Sequence, residues 1–265
     1  MGHVVRHNLI HDAPDSAILL GGNEHTIELN EIHDVCAFSS DTGAIYTGRD
    51  WGARGNVIRH NFVHDIATSF EGYGVHGVYL DDCVSGIRVE GNVLYRITGH
   101  AIQHGGGRDN VMINNVMARC GDGLSADQRC HDGLSRGMPN HTPGDSWNLL
   151  EKLQDVGYQR EPWASRYPKC AAIPGDWDAI IAPGARWLFP EGCVFSRNVG
   201  FANESWIRAS AGALDAYAEL ADNLEDADPG FVDEASLDLT LRPDSPAHGI
   251  PGFEAIPFGE IGIEP

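Results

Sequence analysis

Ile58-Arg59-His60-Asn61-Phe62-Val63 and Val89-Glu90-Gly91-Asn92-Val93-Leu94 are two copies of one phrase, apolar-x-x-Asn-x-apolar, set 31 residues apart. Working outward, the phrase returns as Ile27-Glu28-Leu29-Asn30-Glu31-Ile32 and Val5-Arg6-His7-Asn8-Leu9-Ile10 upstream. Downstream it is Met112-Ile113-Asn114-Asn115-Val116-Met117, with a weaker copy at Phe195-Ser196-Arg197-Asn198-Val199-Gly200. The asparagines are spaced 22, 31, 31, 23 and 83 residues. A constant phrase at variable spacing argues against a helical repeat, whose length is set by helix packing. It suits a solenoid of short strands, where turns lengthen outward without disturbing the stack. Three residues before each asparagine stand Val, Ile, Ile, Val, Met and Phe, which are inward positions. The asparagine is expected to form a ladder, its amide bonding backbone at a tight corner of every rung. A second apolar strand follows each phrase, as in Ala17-Ile18-Leu19, Ala44-Ile45-Tyr46, Gly77-Val78-Tyr79 and Ala101-Ile102. The fold class expected is all-β, a right-handed parallel β-helix.

The chain of 265 residues is expected to form one elongated domain. The 83-residue gap predicts an insertion over about 121–190, a loop to residue 145 and then a helix over Ser146–Val156 with serine at its start. The tail, about 225–265, reads as an irregular cap over the end of the core. The N-terminus reads as the middle of a repeat, so the natural coding sequence is expected to begin earlier.

The pairs His11-Asp12, His33-Asp34 and His64-Asp65 share one register past the asparagine. A repeated turn, with Asp capping backbone N–H groups and His packed on its neighbours, explains them better than a metal site. Cys120 stands where other rungs carry Val35, Ile66 and Ile97, so it reads as a small core residue. The other cysteines are Cys36, Cys83, Cys130, Cys170 and Cys193, and none forms a Cys-x-x-Cys pair, which argues against zinc.

Formal charge is −20, from 38 acidic and 18 basic side chains. Such a chain repels nucleic acid and anionic lipid, and does not favour a densely anionic polysaccharide. No apolar run reaches the ~18 residues of a membrane span. A monomer is expected.

Chemistry is expected on the two 31-residue rungs and the next one, which concentrate Asp, Arg, His and Tyr. Counting back eleven from the asparagines aligns Asp50, Asp81 and His104, whereas aligning the apolar strands pairs Asp50 with Asp82. Either register places two carboxylates on rungs roughly 4.8 Å apart. One pKa of such a pair rises, giving the acid and the base or nucleophile of glycoside hydrolysis. Arg49, Arg108, His76, His104 and Tyr79 would bind hydroxyl groups, and Trp51 and Tyr46 would stack on a sugar face. Solvated acidic turns are the plain alternative, most of all for Asp41 and Asp109. A calcium ion, which seeks oxygen ligands, is the one cofactor to consider; it would fit a polysaccharide lyase or uronate epimerase. Neither of the only two lysines, Lys152 and Lys169, lies in the repeats, so a lyase base would have to be Arg49, Arg108 or a histidine. A third reading is a non-catalytic carbohydrate-binding solenoid.

Thr42-Gly43-Ala44-Ile45-Tyr46-Thr47-Gly48-Arg49-Asp50-Trp51, then Gly77-Val78-Tyr79-Leu80-Asp81-Asp82, then Gly105-Gly106-Gly107-Arg108-Asp109-Asn110 resemble, in order, three signature stretches of carbohydrate-active β-helix proteins. Pro162-Trp163, Arg166-Tyr167-Pro168, Asp228-Pro229-Gly230-Phe231 and Pro243-Asp244-Ser245-Pro246-Ala247 match as well. The chain is similar to glycoside hydrolase family 141, whose members act on fucosyl or xylosyl linkages in plant polysaccharides. The resemblance implies a carboxylate pair at Asp50 or Asp41 together with Asp82, and a polysaccharide or oligosaccharide substrate. Asp81-Asp82-Cys83-Val84 and Gly99-His100 also resemble polygalacturonases more faintly. An extracellular or periplasmic location of the full-length protein is the expectation such proteins suggest.

Overall fold

The structure is a computed structural model and describes residues 1–135, 144 and 146–264. Three all-parallel sheets run side by side along the molecule. The first stacks Val4–Arg6, Thr26–Glu28, Val57–Arg59, Arg88–Glu90, Val111–Ile113, Val194–Ser196 and Glu219–Ala221. The second stacks Leu9–His11, Glu31–His33, Phe62–Ile66, Val93–Ile97, Val116–Ala118 and Val199–Phe201. The third stacks Ile18–Leu19, Thr42–Gly48, Val75–Asp81, His100–Gly105, Asp122–Asp127 and Ser205–Ala209. Successive strands of the chain visit the three sheets in turn, which is a parallel β-helix.

The repeated phrase builds one corner of every coil. Its first apolar residue lies in the first sheet and its last in the second, so Ile27, Ile58, Val89, Met112, Ile32, Val63, Leu94 and Met117 form one buried core. Between them Asn8, Asn30, Asn61, Asn92, Asn115 and Asn198 form an unbroken ladder, each Nδ2 donating to the next Oδ1 at 2.8–3.0 Å. Each Oδ1 also accepts the backbone N–H of the asparagine before it, as from Asn61 to Asn92 at 3.0 Å. Asn223 extends the ladder by one step that the phrase does not mark. The residue preceding each rung's asparagine turns the corner in the left-handed region: His7, Leu29, His60, Gly91, Asn114, Arg197 and Asp222 have φ between 52° and 61°. Only one is glycine, so the ladder bonds, and not glycine's freedom, hold a conformation that costs other residues roughly 1–2 kcal/mol.

Asp12, Asp34 and Asp65 are likewise left-handed, at the next corner. Their carboxylates do not cap backbone as expected; each bonds Nδ1 of the preceding histidine at 2.6–2.7 Å. The histidines stack as expected, with centroids 5.1 Å apart for His11–His33 and 4.9 Å for His33–His64. Cys120 is a buried member of the core.

The insertion begins later than expected. Residues 122–127, read as loop, form a strand of the third sheet paired with His100–Gly105 and Ser205–Ala209. Gly121 and Gly123 hid it, yet both are required: a Cβ on Gly123 would stand 2.6 Å from the Trp206 ring. After Asp127 come the short helices α1 (Arg129–Ser135), α2 (Leu149–Asp155), α3 (Trp163–Arg166), α4 (Pro168–Ala171) and α5 (Trp177–Ile180). Helix α2 starts at Leu149 with Asn148 at its N-cap, so Ser146 does not open it. Part of the expected loop before residue 146, namely 136–143 and 145, lies outside the described residues. The insertion has its own core of Leu149, Leu150, Leu153, Tyr158, Cys170 and Ile180.

The tail is irregular but runs back along the second sheet. Phe231, Leu239 and Ala247 cover the outward side chains Phe62, Val93, Tyr95 and Val116. Glu254 exchanges two hydrogen bonds with Asn114, and the Gly262 N–H reaches Leu29 O at 3.0 Å. A parallel sheet with apolar residues on both faces needs cover on both. Among the described residues no helix is long and apolar enough to cross a membrane.

Candidate functional site

The outer face of the third sheet carries a cleft of about 630 Å³. Its floor comes from three neighbouring strands. In Val75–Asp81, Leu80 points to the core, so Tyr79 and Asp81 face out. Register places Gln103 beside Tyr79, and Ser125 beside Gln103. One edge is the turn before Val75–Asp81, bearing Tyr73; the other is the start of the insertion, bearing Arg129 and Asp132. Asp41, His76, Asp82, His100 and Asp127 complete the lining that concerns chemistry.

Arg129 organises this site. Its Nη1 lies 2.7 Å from Asp81 Oδ1 and 3.2 Å from Asp82 Oδ1, and its Nη2 lies 2.6 Å from Asp127 Oδ2. Burial alone would lower its pKa, but the bond to Asp127 and that carboxylate's charge outweigh it and keep the guanidinium charged. Arg49 approaches from the other side, with Nε and Nη2 each 2.8 Å from Asp82 Oδ2. Asp81 is buried and fully engaged, accepting from Tyr46 Oη at 2.6 Å and from the Asp82 N–H at 2.8 Å. Burial, and then the adjacent Asp81 charge, raise Asp82 above the usual carboxylate range, against the pull of Arg129. The Tyr79 hydroxyl donates to Asp41 Oδ1 at 3.1 Å and accepts from Arg129 Nη1 at 3.4 Å. Burial drives His76 down to about 3, so it is neutral, and its Nδ1 accepts the His100 backbone N–H at 3.2 Å. The two rings stack at 4.6 Å, and His100 Nδ1 lies 2.6 Å from Asp122.

The residues expected from sequence divide sharply. Asp41, His76, Tyr79 and Asp82 line the cleft, with Asp81, Tyr46 and Arg49 bonded just behind them. Asp50 does not join them. Asp81 pairs with Gly48, and the Arg49 N–H bonds to Asp82 O, so both expected registers for Asp50 were displaced. Asp50 lies past the corner, its carboxylate accepting the Gly52 N–H at 2.7 Å. Trp51 is only 1% exposed, stacked on Trp177 in the core of the insertion, where no sugar reaches it. His104 pairs with the inward Leu80, so it points into the solenoid and bonds Tyr217 Oη at 2.6 Å; burial lowers it to about 4. Arg108 donates to the carbonyls of Arg186 and Trp187 and lies over the Trp187 ring, fastening the end of the insertion.

Sequence reading missed Tyr73, Gln103, Ser125, Asp127, Arg129 and Asp132. One signal was available. Cys83 follows Asp82 and Cys130 follows Arg129, and the two cysteines form a disulfide that ties the start of α1 to the corner of the rung. Replacing both by serine should lower stability by about 2–4 kcal/mol in urea denaturation, given the 47-residue separation. It should also loosen Arg129 and reduce affinity for whatever occupies the cleft. Unchanged stability in the double variant would show that the bridge is not formed.

Among the described residues no group of three or more His, Cys, Asp or Glu side chains is arranged to hold a metal ion. The Arg129 guanidinium fills the space between Asp81, Asp82 and Asp127 that a calcium ion would need. No protein-family model, curated protein or solved structure matches the chain.

Proposed function

We propose that this protein is a glycoside hydrolase, with Asp82 as general acid and Asp41 as general base. The observation that carries the proposal is the asymmetry of the two cleft carboxylates. Asp82 is buried beside a second carboxylate, which favours its protonated form, whereas Asp41 is exposed and bonded by one phenol. Asp127, whose oxygens both accept from Arg129, and Asp82, held by Arg129 and Arg49, are alike engaged by guanidinium groups, so the exposed Asp41 suits the base role better than either. The Tyr79 hydroxyl and Arg129 Nη1 stand between Asp41 and Asp82. That favours the wider carboxylate spacing of an inverting enzyme, roughly 6.5–9.5 Å, over the roughly 5 Å of a retaining one. Gln103, Ser125, Tyr79 and His76 supply donors and acceptors for sugar hydroxyls. The stretches that resemble glycoside hydrolase family 141 include the strand Thr42–Gly48 and, from Gly77 on, the strand Val75–Asp81, beside and under the cleft, which points to fucosyl or xylosyl linkages of plant polysaccharides. The disulfide supports action outside the cytoplasm, where such bonds persist.

A lyase is the second reading, favoured by His100, which Asp122 orients as a base would be. The carboxylates of the cleft would repel a uronate, so hydrolysis fits better. Incubation with a panel of plant polysaccharides and aryl fucosides and xylosides tests both. New reducing ends without near-ultraviolet absorbance are expected, with the inverted anomer first in NMR spectra. Unsaturated product would transfer the assignment to the lyase, and binding without any product would leave a carbohydrate-binding solenoid.

A further inference from the structure

The two 31-residue rungs place much of their extra length in the turns between the second and third sheets, 34–41 and 67–74, where the next rung turns within 98–99. Those turns carry three of the largest exposed aromatic side chains of the molecule: Phe38 at 68%, Phe70 at 55% and Tyr73 at 84%. Exposed apolar rings gathered on neighbouring turns need an explanation that scattered ones do not. The turns are also braced against each other. Thr68 Oγ1 donates to Ser39 O at 2.6 Å and the Asp41 N–H to Gly74 O at 2.8 Å, while the Phe38 N–H ties the first turn to Pro14 O of the preceding rung at 3.0 Å. Gly72 is held against Ser40 so closely that a Cβ would stand 2.4 Å from its Oγ. These contacts hold the backbone of both turns in place without a ligand.

We infer that Phe38, Phe70 and Tyr73 form a stacking platform for the uncharged ring faces of a polysaccharide, a binding site outside the cleft that continues into it through Tyr73. Tyr73 lines the cleft itself, so a chain of sugars lying in the cleft meets this edge as it leaves. The neighbouring carboxylates Asp12, Asp34, Asp41 and Asp65 oppose a polyanionic occupant, which leaves neutral glycan as the partner that aromatic faces and acidic surroundings both admit. The inference rests on the glycan reading of the cleft, but needs no cleavage.

Affinity electrophoresis of the full chain in gels containing xyloglucan, arabinoxylan or galactomannan tests it. Retardation by at least one polysaccharide is expected, weakened about tenfold or more in F38A/F70A/Y73A and retained in Y73W. Hydrolysis of a small aryl glycoside, which does not reach Phe38 or Phe70, should be unchanged in F38A/F70A, which leaves Tyr73 of the cleft in place. Retardation by none of the three, retardation that survives the triple change, or self-association that the triple change abolishes would each overturn the platform. Retardation that depends on the platform, with no product from any substrate, would keep it and remove the hydrolase reading instead.

Discussion

Asp82→Asn should lower turnover of a cleaved glycan by about 10²–10⁴-fold, the range for loss of a general acid, while the chain stays folded. The amide preserves the shape of the carboxyl, and its one oxygen can still accept from Arg49 or from Arg129, though not from both, so far-ultraviolet circular dichroism should not change. The acid form of Asp82 is the active one. Its pKa is raised by burial and by Asp81, so the alkaline limb of activity should lie above the pH at which an ordinary aspartate ionises. The same shift has a stability consequence of opposite feel. A carboxyl whose folded pKa exceeds its unfolded value binds its proton more tightly when folded, so it stabilises the protein below the unfolded pKa. That contribution fades as pH rises through the folded value. Asp82→Asn should therefore flatten both the activity limb and this part of the stability profile. Asp50→Asn, at a carboxylate outside the cleft, should leave turnover within a few-fold of the original. Full activity in Asp82→Asn, or its collapse in Asp50→Asn, would refute the assignment of the acid.

The contrast between Asp82 and Asp50 shows where the sequence was legible. The solenoid could be read because inward apolar residues and asparagines recur at fixed offsets within the phrase, and each rung repeats the same packing problem. The site was read only in outline because offsets across a corner are not conserved between rungs. Arg49, Asp82 and Cys83 all turn with positive φ, and those turns shift the count by one or two residues. That shift took Asp50 out of the cleft and turned His104 inward. Arg129 and Asp127 were hidden for another reason. Asp127 ends the strand Asp122–Asp127 and Arg129 opens the helix that follows it, and that strand presents only Leu124 and Ala126 to the core, too little to mark it as a strand. Trp51 misled because an aromatic beside a glycine-rich turn reads as a sugar platform, whereas the insertion needed it as an anchor.

Asn92→Leu should be the most damaging single change to the fold. Asn92 donates to Asn115 Oδ1 at 3.0 Å, Ile58 O at 2.9 Å and Glu90 O at 3.2 Å. It accepts from the backbone and side-chain nitrogens of Asn61 at 3.0 and 2.9 Å. Leucine fits the volume but strands the Asn61 N–H and the Ile58 carbonyl in the dry core, at about 1–3 kcal/mol each. A loss of about 3–5 kcal/mol is expected against a typical total of about 5–15 kcal/mol. Position along the ladder should grade the effect. Asn8, at the exposed end, has only one ladder neighbour, so Asn8→Leu should cost about 1 kcal/mol or less. A solenoid is coupled chiefly between adjacent rungs, so a defect at Asn92 should also let the coils before and after it separate in stability. Urea denaturation of Asn92→Leu should then show a broadened or two-step transition. Hydrogen exchange should rise first in the rungs around residues 57–66 and 88–97, the coils that the altered residue joins. Equal losses for Asn8→Leu and Asn92→Leu would mean that apolar stacking alone, and not the buried amide column, sets the register of this fold.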